Sequence, residues 1–331
     1  MDRKELKKTI AELILREETY ADQMEQTVEP YLSKRRRRCS IEREKGKKIY
    51  CECYQADQGE GIALICHGFT EAAPKYQDIV YYFLKMGYHV YLPEHCGHGR
   101  SYRLCEDPSL VHVDTWKRYV EDFLEIAHAA AKEHPGLSMV VFGHSMGGGI
   151  AAAAAAEEPL LFEKVVLTSP MIRPLTGRVP WKSASQIART FTFTGRGRRY
   201  VAGQKPYDGK EVFETSGSLS RARFERWQKI KKSSRRFQLS AASYGWLNAA
   251  AGLNHYLQWT GWRKIQAPVL LFQAERETMV SKGEQKRFAR KLAFRGKGKL
   301  ICVHGAKHEI FSASRQREIW YWTRVFGFLL P

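Results

Sequence analysis

Apolar, strand-like runs alternate with helix-like segments along most of the chain. The apolar runs are GIALICH (61–67), YHVYLPEH (88–95), LSMVVFGH (137–144), FEKVVLTSP (162–170), APVLLFQA (267–274) and KLICVHG (299–305). Segments between them place apolar residues at helical spacing, and Asp114 is the predicted N-cap of one such helix. This alternation predicts an α/β fold with a mostly parallel central sheet and helices on both faces.

One interval breaks the alternation. Between Pro170 and Ala267 lie 96 residues, whereas a βαβ unit needs about 30 in all. The interval is aromatic, very basic and helical in parts, which indicates a cap inserted over one end of the sheet. The predicted organisation is an N-terminal helix and basic arm (1–46), a core in two pieces (47–170 and 264–331) and a helical cap insert (171–263).

The N-terminal region supports further expectations. Residues 6–28 have helical periodicity that ends at Pro30, and the basic segment 34–48 is interpreted as a solvated linker or a contact with anionic lipid. The first residues show no secretory signal, and no run of about 18 apolar residues predicts a transmembrane helix. A cytoplasmic protein, free or peripheral to the membrane, is therefore expected.

The seven cysteines follow neither a zinc pattern nor a disulfide framework. Most lie in apolar or mixed strand-like runs, and Cys51 and Cys53 would share one face of a strand. No CxxC pair or histidine cluster has the spacing of a zinc site. We therefore expect free buried thiols in a reducing compartment and no bound metal.

The net charge of +19 points to an anionic partner. From Arg173 to Arg236 there are 17 Lys and Arg against 4 Asp and Glu, so this stretch alone carries +13. Seven aromatic residues accompany the charge: Trp181, Phe191, Phe193, Tyr200, Phe213, Phe224 and Trp227. Such a surface suits acyl chains and anionic head groups, but a solvated basic face fits equally well. Nucleic acid is not expected, because no nucleic-acid-binding motif accompanies the charge.

The segment VVFGHSMGGG carries the strongest chemical signal. Its pentapeptide GHSMG (143–147) matches G-x-S-x-G and lies between a predicted strand and a predicted helix. In that context the serine occupies a sharp turn, and the flanking glycines leave room for close packing. The hydroxyl of Ser145 then stands at a helix N-terminus, where developing negative charge is favoured. Ser145 is the predicted nucleophile.

A serine nucleophile needs a base, and an acid that orients the base. The loop VHGAKHEIF follows the last predicted strand, and His308 lies deeper in it than His304, so His308 is the preferred base. The penultimate strand leads into AERETMV, where Glu277 is favoured over Glu275 as the acid. The resulting order of serine, acid and histidine is that of α/β-hydrolases.

The developing oxyanion needs hydrogen-bond donors. The run CHGF ends an earlier predicted strand, so the backbone N–H of Phe69 can face the same pocket as the N–H of Met146, and Gly68 allows the approach. Phe69 and Met146 are the predicted donors.

These blocks together resemble a known family. HGF, YHVYLPEHCGHGRS, GHSMGGG, PVLLFQAERETMV and GAKHEIF follow the order of α/β-hydrolases of the bacterial lysophospholipase and monoacylglycerol lipase family. The run RFERWQKIKKSSRRFQLSAASYGWLNAA is similar to the cap segment of the lysophospholipase branch. The resemblance extends from about Tyr50 to the end of the chain.

The resemblance implies the same residues: Ser145 as nucleophile, His308 as base, Glu277 as acid, and N–H donors from Phe69 and Met146. Members usually have aspartate at the acid position, so the longer glutamate requires its loop to lie slightly further back. EHCGHGRS also departs from the usual Asp-x-Arg-Gly-His-Gly pattern, a difference that we expect to affect structure more than chemistry.

The sequence therefore predicts a serine hydrolase of single-chain lipid esters, lysophospholipid first and monoacylglycerol second, with no cofactor. A short-chain carboxylesterase, a thioesterase and an acyltransferase that uses an alcohol in place of water are the enzymatic alternatives. From a different class, the chain could be a non-catalytic protein that docks on anionic membranes through the cap. The complete set of serine, glutamate and histidine argues against this last alternative.

Overall fold

A computed structural model of the protein describes residues 2–330. Its strands are β1 (Arg36–Glu44), β2 (Lys47–Tyr54), β3 (Gly61–Cys66), β4 (Tyr88–Pro93), β5 (Leu110–Val111), β6 (Ser138–His144), β7 (Lys164–Thr168), β8 (Ala241–Ala242), β9 (Val269–Ala274) and β10 (Gly298–Val303). Its helices are α1 (Arg3–Leu13), α2 (Tyr20–Gln23), α3 (Glu29–Ser33), α4 (Gln77–Lys85), α5 (Trp116–Glu133), α6 (Met146–Glu157), α7 (Trp181–Phe193), α8 (Arg221–Ser233), α9 (Tyr244–Tyr256), α10 (Trp262–Lys264), α11 (Lys282–Phe294) and α12 (Arg315–Leu329).

Eight of the strands form one sheet in the order β1-β2-β4-β3-β6-β7-β9-β10. The six strands from β4 to β10 in this order are parallel, whereas β1 and β2 form an antiparallel hairpin that joins the sheet at β4. Strands β5 and β8 form a separate two-stranded pair. The predicted α/β fold with a mostly parallel sheet is confirmed.

Both faces of the sheet are covered, as predicted. In β3, Ile62 and Leu64 point into one core layer, whereas Ala63 and Ile65 point into the other. The first layer contains α5, α6, α9 and α11, and the second contains α1, α4 and α12. Because successive strand residues face opposite sides, a strand buried on both faces reads as a continuous apolar run.

Helix α6 lies very close to the sheet. Its residues from Met146 to Ala156 are buried, so the helix has no solvent-facing side over this stretch. A Cβ atom at Gly149 would lie 2.5 Å from the carbonyl oxygen of Met171, and one at Gly147 would lie 2.0 Å from that of Cys66. The glycines and alanines that follow Ser145 therefore permit this packing distance.

The basic segment 34–48 is not the solvated linker that its composition suggested. Arg36–Glu44 forms β1, which pairs with β2 along its whole length. Arg43 turns towards α5 and donates to Asp122 and Glu125, each at 2.9 Å. The linker prediction is wrong because β1 is a half-exposed edge strand in which only Cys39 and Ile41 pack against the core, and the charged residues around them hide this short alternation.

The start of α5 also differs from the prediction by one residue. Thr115, not Asp114, is the N-cap, and its hydroxyl accepts the N–H of Lys117 at 3.4 Å. The carboxylate of Asp114 instead accepts hydrogen bonds from Arg118, one turn into the helix.

The hairpin register brings cysteines together. Cys39 on β1 lies opposite Cys51, and its sulfur is joined to that of Cys53 in a disulfide. The expectation of free thiols is therefore wrong for this pair, because a segment read as a linker is a paired strand. The remaining cysteines, Cys51, Cys66, Cys96, Cys105 and Cys302, are free.

Residues 171–263, the predicted cap insert, contain α7, α8, α9 and β8 and lie between β7 and β9 in the chain. We refer to these residues as the insert; the division of the chain into domains stays a prediction. Within residues 2–330, no helix combines the length and the apolar character needed to cross a bilayer.

We predict that Gly149→Ala destabilises the protein, although alanine has a higher helix propensity than glycine. The added Cβ would overlap backbone rather than a mobile side chain, and overpacking of this kind costs about 1–3 kcal/mol. Gly283→Ala, in the exposed first turn of α11, is the control, because its Cβ would meet only Ser281 Oγ at 3.8 Å. Denaturant unfolding should show a lower free energy of unfolding for Gly149→Ala and an unchanged one for Gly283→Ala. Equal stabilities would mean that α6 and the segment around Met171 can move apart.

Candidate active site

Ser145 occupies a strained turn between β6 and α6. Its backbone angles are φ 53° and ψ −121°, a conformation that side chains other than glycine rarely adopt. The backbone is held there because the Ser145 N–H donates to the carbonyl of Thr168 at 3.1 Å. The residue is 8% exposed, and its hydroxyl lies at the carboxyl end of β6, in the middle of the sheet.

The structure brings Ser145, His308 and Glu277 together. The Oγ of Ser145 lies 2.8 Å from Nε2 of His308, and Nδ1 of His308 lies 2.8 Å from both carboxylate oxygens of Glu277. Since a carboxylate only accepts, Nδ1 carries the proton in this network and Nε2 is free to accept from the serine hydroxyl. Three residues far apart in sequence thus form one continuous chain of hydrogen bonds.

The Glu277 carboxylate is ionised although its side chain is 0% exposed. Burial by itself raises the pKa of this carboxyl, but the hydrogen bond from His308 and the N–H groups of Met279 and Val280 outweigh it and lower the pKa below the ordinary value.

The alternative acid and base pair with each other, away from Ser145. Glu275 is about half exposed and accepts from His304 Nδ1 at 3.0 Å and from the N–H of Gly305 at 2.7 Å. His304 is 82% exposed. Of the two candidates for each position, only Glu277 and His308 are connected to the serine.

Phe69 and Met146 flank the serine. Met146 is the first residue of α6, so its N–H belongs to the helix-terminal groups that lack an intrahelical acceptor. Phe69 follows β3, the strand next to β6, and lines the same cavity as Ser145. The side chains of both residues contact Trp246: its ring lies 4.5 Å from that of Phe69, and its indole N–H donates to the Met146 sulfur.

Other histidines near the serine are buried and neutral. Burial lowers the pKa of His144 to about 3 and that of His67 to about 4. His67 accepts the N–H of His95 at 3.0 Å, and its ring contacts those of His95 and His98. The segment EHCGHGRS, which departs from the family pattern, therefore packs beneath the site.

Sequence reasoning missed a buried ion network beside the serine. Lys75 donates to Glu71 and to Glu309, each at 2.6 Å, and Glu71 also accepts from the N–H of Gly68 at 2.7 Å. Burial opposes ionisation of Lys75, but the two carboxylates raise its pKa above the ordinary value. The four-residue spacing of Glu71 and Lys75 was the only local signal, and Glu309 is remote in sequence.

A cavity of about 570 Å³ opens above Ser145 and His308, a size in the range of small-molecule sites. The core contributes Phe69, Glu71, Lys75, His144, Thr278, Met279, Val280 and Glu309 to its walls. The insert contributes Met171, Pro174, Leu175, Gln204, Lys210, Glu211, Val212, Phe224, Trp227, Gln228, Lys231 and Trp246 among others. A substrate in this cavity contacts both parts of the chain.

This arrangement is chemically suited to attack on a carbonyl. A base in hydrogen-bond contact with the serine can remove its proton as the hydroxyl attacks, and a buried carboxylate can stabilise the imidazolium that forms. The burial of these three side chains strengthens each of these electrostatic interactions.

Comparison with known proteins identifies the family of the chain. Residues 57–314 match the sequence profile of the family described as serine aminopeptidase, S33. The chain is 27% identical to lysophospholipase L2 of Escherichia coli over 262 residues, which are 78% of this chain and 76% of that protein. It is 35% identical to monoacylglycerol lipase of Mycolicibacterium smegmatis over 136 residues, 41% of this chain and 47% of that one.

Solved structures support the fold. A soluble variant of monoglyceride lipase from Saccharomyces cerevisiae, crystallised with a substrate analogue, matches with a TM-score of 0.71 at 18% identity over 89% of this chain and 95% of that chain. A carboxyl esterase from Bacillus coagulans matches with a TM-score of 0.71 at 17% identity over 89% and 98%. At these identities the likeness concerns the fold alone. Since the profile match spans most of the chain, the protein belongs to the S33 family of α/β-hydrolases and is a hydrolase.

Proposed function

We propose that the protein is a serine hydrolase that cleaves carboxylic esters of single-chain lipids through an acyl-enzyme. The observation that carries the proposal is the hydrogen-bonded chain from Ser145 through His308 to Glu277, which starts at a strained strand-to-helix turn. A non-catalytic membrane-binding protein would not need a serine held in this conformation against an oriented base.

In the first half of the reaction Ser145 Oγ attacks the ester carbonyl carbon while His308 Nε2 takes the hydroxyl proton. Glu277 keeps the proton of Nδ1 in place and stabilises the imidazolium. The same Nε2 then returns its proton to the departing alcohol, which leaves the acyl group on Ser145.

The oxyanion of the tetrahedral intermediate is assigned to the backbone N–H groups of Phe69 and Met146. The N-terminus of α6 favours negative charge at this position. Water then enters, loses a proton to His308 and attacks the acyl-enzyme, so that the fatty acid is released and Ser145 is restored.

The walls of the cavity support an amphiphilic substrate. One wall of the cavity is apolar and is formed by the segments that come after β7 and β9. There the N–H of Leu175 donates to the carbonyl of Met279, and Pro174 pairs with Val280. The opposite wall is polar and is formed by the segment that comes after β3, the strand on the other side of β6. It includes Lys75 and the Glu309 that is bonded to it. We assign the acyl chain to the apolar wall and the polar head of the substrate to the opposite wall.

The insert adds polar groups to that second wall. Lys231 is buried, donates to Glu211 and to the carbonyl of Leu239, and has its pKa lowered by burial. Gln228 donates to the same Glu211 at 2.5 Å, and its carbonyl oxygen has no hydrogen-bond partner within residues 2–330. Partly unsatisfied polar groups at this end of the cavity favour a hydroxylated or charged head over a plain hydrocarbon.

Similarity favours lysophospholipid as the first substrate and monoacylglycerol as the second. The relative covered over three quarters of its length is a lysophospholipase, whereas the similarity to the monoacylglycerol lipase covers less than half of each chain.

We also propose that the insert meets anionic lipid surfaces. Helix α7 exposes Ile187 and Phe193, the latter 92% exposed, beside the cations Lys182 and Arg189. The exposed Arg196, Arg198 and Arg199 follow directly. An exposed apolar side chain among cations is the combination that binds a charged bilayer surface.

Ser145→Ala should abolish labelling by a fluorophosphonate probe and reduce turnover about 10³-fold or more, because it removes the nucleophile without adding volume. Circular dichroism and thermal unfolding should match those of the parent protein. Full labelling of this variant would exclude Ser145 as the nucleophile.

Glu277→Gln should lower kcat by about 10²-fold or more, since a neutral amide no longer holds the imidazole orientation or stabilises the imidazolium. Glu275→Gln is the matched control, because within residues 2–330 the Glu275 carboxylate takes hydrogen bonds from His304 and Gly305 and none from His308 or Ser145. Steady-state hydrolysis of a soluble p-nitrophenyl ester measures both. If the Glu275 variant is the impaired one, the acid is wrongly assigned.

Replacing Arg196, Arg198 and Arg199 together by glutamine should slow hydrolysis of lysophospholipid on anionic micelles and leave a soluble neutral ester unaffected. Added salt should act in the same way, since attraction between exposed charges is screened over about 8 Å at physiological salt. The control replaces the exposed Lys4, Lys7 and Lys8 of α1 by glutamine, an equal loss of charge elsewhere. Equal effects of the two triple variants would mean that only net charge matters.

A further inference from the structure

Two adjacent faces of helix α8 contact different parts of the protein. Phe224, Trp227, Gln228 and Lys231, which recur at helical spacing, line the cavity above Ser145. The adjacent face carries Arg223 and Arg226 and lies against the N-terminal segment, α4 and α12. The position of the cavity wall therefore depends on what the second face rests upon.

The N-terminal segment caps α8. One carboxylate oxygen of Glu17 accepts the Ser220 hydroxyl at 2.6 Å, and the other accepts the N–H of Ala222 at 3.0 Å. Ser220 is itself the N-cap residue and accepts the N–H of Arg223 at 3.1 Å. A carboxylate from a segment 200 residues away thus satisfies a free N–H of the helix and interacts favourably with its dipole.

A buried ion cluster fixes the next turn. Arg223 donates to Asp78 on α4 at 2.8 Å and to Glu318 on α12 at 3.0 Å, with all three side chains at most 9% exposed. Its guanidinium lies 4.7 Å above the ring of Tyr20, whose hydroxyl lies 3.3 Å from the same Asp78. Breaking this cluster would leave a buried charge without a partner, so its members are poor sites for a functional test.

A third contact holds the middle of the helix. Arg226 donates to Glu29 at 2.8 Å and to the carbonyl of Pro74 at 3.0 Å. Glu29 begins α3, in the same N-terminal segment as Glu17. Both residues lie outside residues 57–314, the part of the chain that matches the family profile.

We propose that the N-terminal segment 17–33 positions the substrate by holding α8, and that Glu17 is a positioning residue for the polar wall of the cavity. This inference rests on the proposed function. Glu17 touches neither the nucleophile nor the cavity, so it acts through Phe224, Trp227, Gln228 and Lys231 rather than on the chemistry.

The base is tied to the insert independently of Glu17. The N–H of Leu219 donates to the carbonyl of Ser312 at 3.0 Å, and the N–H of Glu309 donates to the carbonyl of Gly217 at 2.9 Å. Loss of the Glu17 cap leaves these hydrogen bonds in place, so His308 keeps its position while the first turn of α8 loosens.

The test is Glu17→Ala in the full chain, with Glu18→Ala, its exposed neighbour, as the matched control. The stability lost with a helix cap corresponds to about a five- to tenfold change in an equilibrium constant. We therefore expect the KM for lysophospholipid or monoacylglycerol to rise by about this factor, with kcat little changed. Kinetics with p-nitrophenyl acetate and fluorophosphonate labelling should match the parent. Glu17→Gln, which keeps one acceptor oxygen, should recover part of the loss, and the amide of Ala222 should exchange faster with deuterium in Glu17→Ala.

The outcomes separate the two proposals. If the parent protein neither reacts with fluorophosphonate nor hydrolyses any ester, the proposed function fails. If the parent is active but Glu17→Ala keeps the KM of the Glu18→Ala control, the positioning role is excluded. A parallel fall of activity on lipid ester and p-nitrophenyl acetate, with a lower melting temperature, would also overturn it, because Glu17 would then serve only overall stability.

Discussion

The close contact between α6 and the central sheet is the constraint on which the site depends. A serine with φ 53° is unfavourable on its own, and it persists because the strand before it and the helix after it are both packed in place. The approach requires a small residue at position 147, since a side chain at Gly147 would overlap the carbonyl of Cys66 at the end of β3. The same turn sets the N-terminus of α6 beside the hydroxyl, so one packing distance determines both the exposure of the nucleophile and its electrostatic surroundings.

The second feature of the site is buried charge, and the buried charged groups are hydrogen-bonded to partners that compensate them. The side chain of Glu277 is fully buried and accepts from an imidazole and two backbone N–H groups, and Lys75 joins two carboxylates. Removing such groups from water is costly, and good geometry is needed to offset that cost. Groups held this firmly do not have to reorganise as charge develops on a substrate, which is the main electrostatic advantage of a preorganised site.

Local pattern was enough to predict the parallel part of the fold. Runs such as GIALICH and LSMVVFGH are strands buried on both faces, and their spacing leaves room only for crossover helices. Strand β1 escaped prediction because it is an edge strand with one exposed face, and only Cys39 and Ile41 mark its inner face among charged residues that are also typical of linkers. The spacing of Glu275 and Glu277 could not decide between them either. The fold distinguishes them, since the side chain of Glu275 points outward to His304 and that of Glu277 points inward to His308.

Ion pairs between remote segments could not be predicted from the sequence. Glu309 meets Lys75 across more than 200 residues, and Arg223 meets Asp78 and Glu318 from opposite directions along the chain. Ion pairs of this kind leave no periodicity, because any acidic and basic residues that the fold brings together will serve. The contacts of Arg223 also join the insert to the core.

The arrangement separates chemistry from binding within one chain. Ser145, Glu277 and His308 all belong to segments outside the insert, and their mutual hydrogen bonds involve no insert residue. Much of the cavity wall, in contrast, comes from the insert, whose helix α8 rests on the N-terminal segment. A change in that support can alter which ester is held without altering how its carbonyl is attacked. The backbone contact between Glu309 and Gly217 is a point where the two meet, since it joins the loop of the base to the insert directly. Variation in the insert and the N-terminal segment is therefore a route by which such a hydrolase can change substrates while its reaction stays the same.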